Sequence, residues 1–343
     1  MEEISRIFVD TSKQVFQLHG VDAAERVVVR RKLRRDQFLA FFAGRAPMAV
    51  GLESCAASHH WARELTALGH QVRLIAPQHV KLYVKRNKND LRDAEAGCEA
   101  MSRPTMRFVP VKTIEQQAGL MLLRRRERLV AERTALSNAI RGHAAEFGWT
   151  VAKGLDKVPL LLAQLAAGAD VPDLAKRLFA RDGARFSQLQ VEIAELDREI
   201  AAWRRGSELS QRLAQLPGVG ELGSMMLPLK TPDPRGFKSG RDFAAWIGLT
   251  ARDHSTAGKL RLGVITKAGD EPLRAVLVAG TMAVIQQALR GKGPDWPWLA
   301  ELLKRKPRKL AAVALANKLA RIAWRMMVGG EPFDPQRIAT MTS

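Results

Sequence analysis

Cysteine is close to absent: the 343 residues hold two, Cys55 and Cys98. They have neither the C-x-x-C spacing of a zinc site nor the density of a disulfide scaffold, so reduced, cytosolic thiols are expected. Cys55 stands near His59, His60 and His70 in sequence, but a helix cannot aim adjacent histidines at one ion, and no zinc site is expected there. No secretory leader is expected, since Met1, Glu2, Glu3 and Ile4 begin neither a basic nor an apolar segment. Long apolar runs are scarce. The longest uncharged stretch, residues 275–289, is short for a membrane core and carries Gln286 and Gln287, which predicts a buried helix and no membrane partner. Acid is in deficit: 35 Asp and Glu face 55 Lys and Arg, for a net charge of +20. That is large for an enzyme of small molecules and points to a polyanion, held through phosphate contacts and counterion release.

What the chain does have is apolar content, 46% of residues, and length enough for two or three domains with sizeable cores. The little acid present gathers in residues 89–95, where Asp90 and Asp93 stand three apart and project from one face of a helix. Two like charges that close repel unless a cation lies between them, and oxygen-only ligands suit Mg²⁺ or Mn²⁺. The plainer reading of such a pair is a solvated helix face, so other carboxylates must converge on it. Asp10 and Glu53 are the candidates, each closing an apolar run as a strand tip does.

Residues 4–11, 14–20 and 26–30 read as three successive strands, 36–44 as a helix, 47–53 as a strand and 58–68 as a helix ended by Gly69. A fifth strand at 71–77 and the helix bearing Asp90 and Asp93 complete the order βββαβαβα. That is the ribonuclease-H-like, or RuvC-like, plan, in which carboxylates on strand one, strand four and the last helix meet at one edge. Asp10, Glu53, Asp90 and Asp93 fall at those stations.

From 113 to 147 the pattern is helical and charged, with Leu120, Leu123, Leu129, Leu136 and Ile140 on one stripe. Residues 186–205 repeat it, so the two are expected to pair as an antiparallel coiled coil with shorter helices from 148–182 at its far end. Scaffold or dimerisation explains such helices, and Arg124, Arg125 and Arg128 would also suit a nucleic-acid backbone. The turn at Leu216-Pro217-Gly218-Val219-Gly220 reads either as a phosphate-facing helix entry or as a plain interhelical turn. Residues 252–269 interleave hydroxyls, glycines and cations, as a flexible phosphate-binding loop does. A sharper reading makes a hydroxyl there a nucleophile, with Ser255 and Thr256 both open, and Lys259, Arg261 and Lys267 on the phosphate. Residues 272–287 and 310–328 read as apolar helices joined by a basic connector at 304–309. The expected fold is thus α/β plus α: a RuvC-like domain at 1–110, a helical coiled-coil region at 111–210 and a mostly α domain at 211–343.

Taken in order, Ile7-Phe8-Val9-Asp10, Gly51-Leu52-Glu53, Lys88-Asn89-Asp90-Leu91-Arg92-Asp93, Leu216-Pro217-Gly218-Val219-Gly220, Ser255-Thr256-Ala257-Gly258-Lys259 and Ile265-Thr266-Lys267 are specific. Over nearly its whole length the chain resembles the DEDD transposases of the insertion sequence 110 family, in their 1111-like branch. The resemblance implies a RuvC-like domain whose quartet, here Asp10, Glu53, Asp90 and Asp93, binds Mg²⁺, and a C-terminal domain whose serine, here Ser255, attacks DNA. It implies an RNA-guided serine recombinase, with a structured non-coding guide RNA (a bridge RNA) that pairs with donor and target double-stranded DNA. It also implies a homo-oligomer, dimer or tetramer, in which one subunit's acidic domain completes another's serine site, in the bacterial cytoplasm at the nucleoid. One departure is Ala257, where the family's usual double glycine would place glycine. The rival readings are a RuvC-like, metal-dependent structure-specific endonuclease and a non-catalytic RNA- or DNA-binding protein.

Overall fold

Alternation along β1 (Arg6–Thr11) decides how the N-terminal sheet is covered. Ile7 and Val9 point to one face, where they meet Phe16, Leu18, Val50, Leu52 and Leu74. Phe8 points to the other, among Ala96, Cys98, Ala100 and Met101. The remaining strands are β2 (Val15–Val21), β3 (Val27–Arg34), β4 (Ala49–Glu53), β5 (Gln71–Ile75) and β6 (Phe108–Val109), in the order β3-β2-β1-β4-β5-β6. β1, β4 and β5 run parallel at the centre, and the other pairings are antiparallel. Helices α1 (Phe38–Ala43) and α2 (Ser58–Ala67) cover the first face, where Phe16, Phe38 and Trp61 meet edge to face. α3 (Pro77–Val80) and α4 (Asp90–Ala100) follow β5.

The computed structural model describes residues 4–84, 90–256, 258–259, 261–293 and 296–335, which form two compact units dividing between Gln116 and Gln117. In the first unit the strand and helix order agrees with the expected one, with three additions. β3 continues to Arg34 through Arg30, Arg31 and Lys32, because an edge strand can send long cations to solvent. α3 with a following 3₁₀ turn, and the two-residue β6, were too short to read from periodicity.

In the second unit α5 (Ile114–Glu146) and α7 (Asp173–Arg205) pair antiparallel. Leu129 packs with Leu189 and Ile193, and ion pairs join Arg125 to Glu192, Arg126 to Asp197 and Glu132 to Arg185. α7 starts earlier than its stripe suggested. Of the expected short helices only α6 (Val158–Ala167) and a 3₁₀ turn before it form, and Ala175, Phe179 and Phe186 of α7 pack on α6. The remaining elements are α8 (Glu208–Leu213), α9 (Glu221–Lys230), α10 (Gly240–Trp246), α11 (Glu271–Leu289), α12 (Pro297–Arg305) and α13 (Arg308–Gly329). α12 is a correction to the basic connector expected at 304–309: Lys304 and Arg305 form the last turn of a helix that buries Leu299. The loop at 252–269 is a second correction, since β7 (Ala251–Asp253) and β8 (Leu262–Ile265) pair as an antiparallel hairpin.

α11 is the one helix among the described residues long and apolar enough to cross a membrane. Its Leu273, Leu277, Val284 and Ile285 lie in the core of the helical unit, and its Thr281 hydroxyl donates to the Ala312 carbonyl of α13 at 3.0 Å. The turn before α9 is built against it. A Cβ on Gly280 would sit 1.7 Å from the Gly218 carbonyl oxygen, so both glycines are needed for this backbone contact.

Candidate active site

Parallel pairing places two of the expected acidic residues side by side. Val9 of β1 is opposite Leu52 of β4, so the next step along each strand sets Asp10 beside Glu53, roughly 5 Å apart at the backbone. Both side chains are partly exposed and both hold interactions within the fold. The row continues across the sheet, because Asp10 is opposite Gln17 of β2 and Gln17 is opposite Lys32 of β3.

α4 lies on this same face and runs against the direction of β1. Arg6 Nε donates to the Cys98 carbonyl at 3.2 Å, and the Phe8 ring fits under Gly97, where a Cβ would come within 2.2 Å of it. Asp93 stands one turn before Gly97, a rise of about 6 Å that matches the roughly 7 Å from Phe8 to Asp10 along the strand. The helix therefore carries Asp93 toward the Asp10 end of β1. Among the described residues, no three His, Cys, Asp or Glu side chains close around one point as a metal cage would. Asp90 opens α4 and its side chain lies outside the described residues, as do Lys88 and Asn89.

Of two further residues beside this face, His19 went unread in the sequence and Cys55 was read there only against a zinc site. His19, opposite Phe8, is buried, and burial pushes its imidazole below the ordinary 6.5; Glu95 of α4 opposes that shift, while Arg30 and Arg6 add to it. Exposed Cys55 brings its Sγ within 3.1 Å of Thr11 Oγ1, next to Asp10 in sequence. The other thiol, Cys98, is buried on α4 and pushed up to about 11 by desolvation.

The hairpin at 251–265 holds Ser255 in a defined setting. Its backbone N–H donates to Asp253 Oδ1 at 2.8 Å, and its Oγ accepts from the Arg261 N–H at 3.0 Å. The neighbouring Ser255 side chain first, then this backbone bond, holds the Asp253 carboxyl below the usual carboxylate range. Thr256 pairs through its backbone with Lys259 instead. Asp253 was missed, though a carboxylate two residues before a serine is an Asx-turn pattern that favours this contact. Ser255, Lys259, Arg261 and Lys267 are exposed; Ala257 lies outside the described residues. At the hairpin's base, Lys230 Nζ sits 2.7 Å from both oxygens of Asp270, which caps α11. Arg274, buried on α11, donates to the Ile247 carbonyl at 2.9 Å and so acts as an anchor of the fold.

On α5, Arg124 and Arg128 are exposed, whereas Arg125 is engaged with Glu192 at 3.0 Å. The coiled-coil pairing thus draws one of the three arginines into an interhelical contact.

Residues 210–293, from α8 through the serine hairpin to α11, match the family described as "Transposase IS116/IS110/IS902 family". Residues 8–147, the sheet unit and α5, match the IS110-type DEDD transposase family. The chain is 57% identical over its full length to a putative transposase of Sinorhizobium fredii, covering 89% of that protein. The chain belongs to the IS110/IS116 family of transposases. The transposase is also 46% identical, over 94% of its length and 97% of the relative's, to a probable family 20 transposase of Pseudomonas aeruginosa. A transposase for insertion sequence element IS1111A of Coxiella burnetii is 37% identical over 97% of this chain and 92% of its own. The transposase is therefore a DNA-recombining enzyme, with an N-terminal DEDD transposase domain and a C-terminal helical domain. DNA is its partner by family, which agrees with its net charge of +20.

Proposed function

We propose that this transposase excises and inserts its insertion sequence by serine-mediated strand transfer, without hydrolysis. The observation that carries this reading is Ser255 held in an exposed hairpin, its backbone N–H on the Asp253 carboxylate at 2.8 Å and its Oγ fixed by the Arg261 N–H at 3.0 Å. Ser255 Oγ attacks the scissile phosphate and its proton passes to Asp253. A phosphoserine bond forms, the bond to the DNA oxygen breaks, and that oxygen leaves as a hydroxyl after taking a proton from solvent. A free hydroxyl of the partner strand then attacks the phosphoserine, its proton passing to solvent; the phosphoserine bond breaks and Ser255 Oγ takes back the proton held by Asp253. The energy of the broken bond is kept in the covalent intermediate, so strands exchange with no external energy. Lys259, Arg261 and Lys267 hold the phosphate around the serine.

The sheet order and its parallel centre support a RuvC-like fold for residues 1–110, followed by a coiled-coil region at 111–210 and the serine-bearing domain at 211–343. Asp10, Glu53, Asp90 and Asp93 are an oxygen-only donor set that fits Mg²⁺ or Mn²⁺, and the adjacent Asp10 and Glu53 carboxylates repel without a cation. When bound, the ion supplies charge stabilisation at the phosphate and the departing oxygen. The excess of cations and the exposed Arg124 and Arg128, with Arg125 beside them, support a structured non-coding guide RNA as a second polyanion partner. The enzyme acts as a homo-oligomer, dimer or tetramer, on DNA at the bacterial nucleoid.

The test is to incubate the protein with Mg²⁺, its neighbouring non-coding RNA and labelled element-junction DNA, and to look for an SDS-resistant protein–DNA adduct. The adduct is expected with the wild type and absent from both Ser255→Ala and Asp10→Ala. Cleavage without an adduct that persists in Ser255→Ala would instead establish a metal-dependent nuclease.

A further inference from the structure

The sheet edge carries a feature that the acidic site and the serine do not use. β3 presents Arg30, Lys32 and Arg34 at alternate positions, so all three project from one face of the sheet, and all three are exposed. Register ties that face to the acidic residues. Lys32 is opposite Gln17 and Gln17 opposite Asp10, which puts Lys32 two strand spacings, about 10 Å, from Asp10 on the same side. Arg30 is likewise opposite His19, and Arg34 opposite Val15. The uncharged Gln17 separates the cations from the carboxylates, so the basic row is not cancelled by the acidic one.

The intervening residues behave differently. Arg31 points to the opposite face, where its guanidinium lies 5.9 Å from the Phe41 ring, and the neighbouring Arg35 stacks 4.8 Å from Trp61. These two cover the aromatic core. The other three have no such packing, and the pair Arg34–Asp36 at 2.9 Å is exposed on both sides and readily exchanged for a phosphate. Charged residues on an edge strand also block pairing with another sheet. Edge protection is met by either sign on either face, however, and it does not account for three like charges in line beside an acidic site, where they repel one another.

We propose that β3 is a phosphate-binding rail: Arg30, Lys32 and Arg34 grip the backbone of the DNA strand whose scissile phosphate lies at the Asp10–Glu53 end of the face. The two-residue repeat of a strand, roughly 7 Å, is close to the step between successive phosphates along an extended nucleic-acid strand. Three cations in that repeat hold three consecutive phosphates with no reading of bases. A strand lying along β3 is thereby set parallel to β1 and delivered to the carboxylates two strands away. The DNA assignment rests on the functional reading above; the rail itself is a matter of binding.

The test compares DNA affinity across a salt series for the full-length wild type and the triple variant Arg30→Gln, Lys32→Gln, Arg34→Gln, with Arg31→Gln as control. Losing three phosphate contacts should flatten the slope of log K against log salt by roughly 2 to 3, equally for unrelated sequences. The control should leave the slope unchanged. Arg30→Lys with Arg34→Lys, which keeps the charge, should retain the wild-type slope and shows that the loss is of charge rather than of folding. A slope in the triple variant equal to the control overturns the rail. A flattening seen with single-stranded RNA and not with DNA overturns DNA as its occupant. A wild type that forms no Ser255 adduct, with the salt slopes as expected, rejects the serine mechanism and leaves the rail standing.

Discussion

Ser255 and Asp253 meet as the chain turns back on itself between β7 and β8, where the carboxylate two residues upstream caps the serine's N–H. If Asp253 takes the proton, Asp253→Asn should slow adduct formation by roughly 10²- to 10⁴-fold, the usual weight of a positioned base. Thr256→Ala should change it little. Because the serine bonds hold Asp253 below the usual carboxylate range, the dependence on Asp253 should stay flat across neutral pH and fade only in acid, which a pH–rate profile of single-turnover adduct formation will show. His19 has the opposite stability logic to a salt-bridged histidine. Burial lowers its value from 6.5, so the folded protein resists protonation while the unfolded chain accepts it. The stability that His19 contributes is full above about 6.5 and is lost as pH falls through its lowered folded value. Melting temperature should therefore drop between pH 7 and 5 more steeply in the wild type than in His19→Gln.

At the scale of elements, two glycine contacts hold the working parts in place. Gly97 lets α4 settle on Phe8, and a methyl there would come within 2.2 Å of the ring. Gly97→Ala should cost about 1–3 kcal/mol of stability, as overpacking does, and should also tilt Asp93 away from Asp10. Its adduct yield should fall even at temperatures where circular dichroism reports a folded protein. Gly280→Ala should cost a similar ~1–3 kcal/mol through its clash with Gly218, read as a lower denaturant midpoint. Neither requirement was visible beforehand. A glycine in a helix reads only as a weak propensity, and the neighbour that excludes a side chain comes from a distant segment. The strands around Asp10 and Glu53, by contrast, were legible, since Ile7, Val9 and Leu52 alternate or cluster as buried strands do. α12 was not, because Trp296, Pro297 and Trp298 interrupt any apolar stripe and the basic run after them resembles a linker.

For the whole molecule, composition and order were decided locally. A net charge of +20, the scarcity of cysteine, the βββαβαβα order and the paired long helices all follow from residue counts and short-range periodicity, which depend on no fold. The antiparallel pairing of α5 and α7 was expected from their stripes, but its register required the tertiary structure, which pairs Arg125 with Glu192 and Glu132 with Arg185. So did the hairpin at 251–265: its residues have little apolar alternation, and its pairing comes from backbone bonds such as His254 N–H to the Arg261 carbonyl at 2.8 Å. Sequence alone named Asp10, Glu53, Asp90 and Asp93 as chemically distinctive and left Ser255 and Thr256 both open as the hydroxyl. Only strand register set Asp10 beside Glu53 with Lys32 on the same face, and only the hairpin turn gave Ser255 its carboxylate. Contacts between residues far apart in the chain depend on which strands pair and in what register, and that is settled by burial of the whole core rather than by any local stretch.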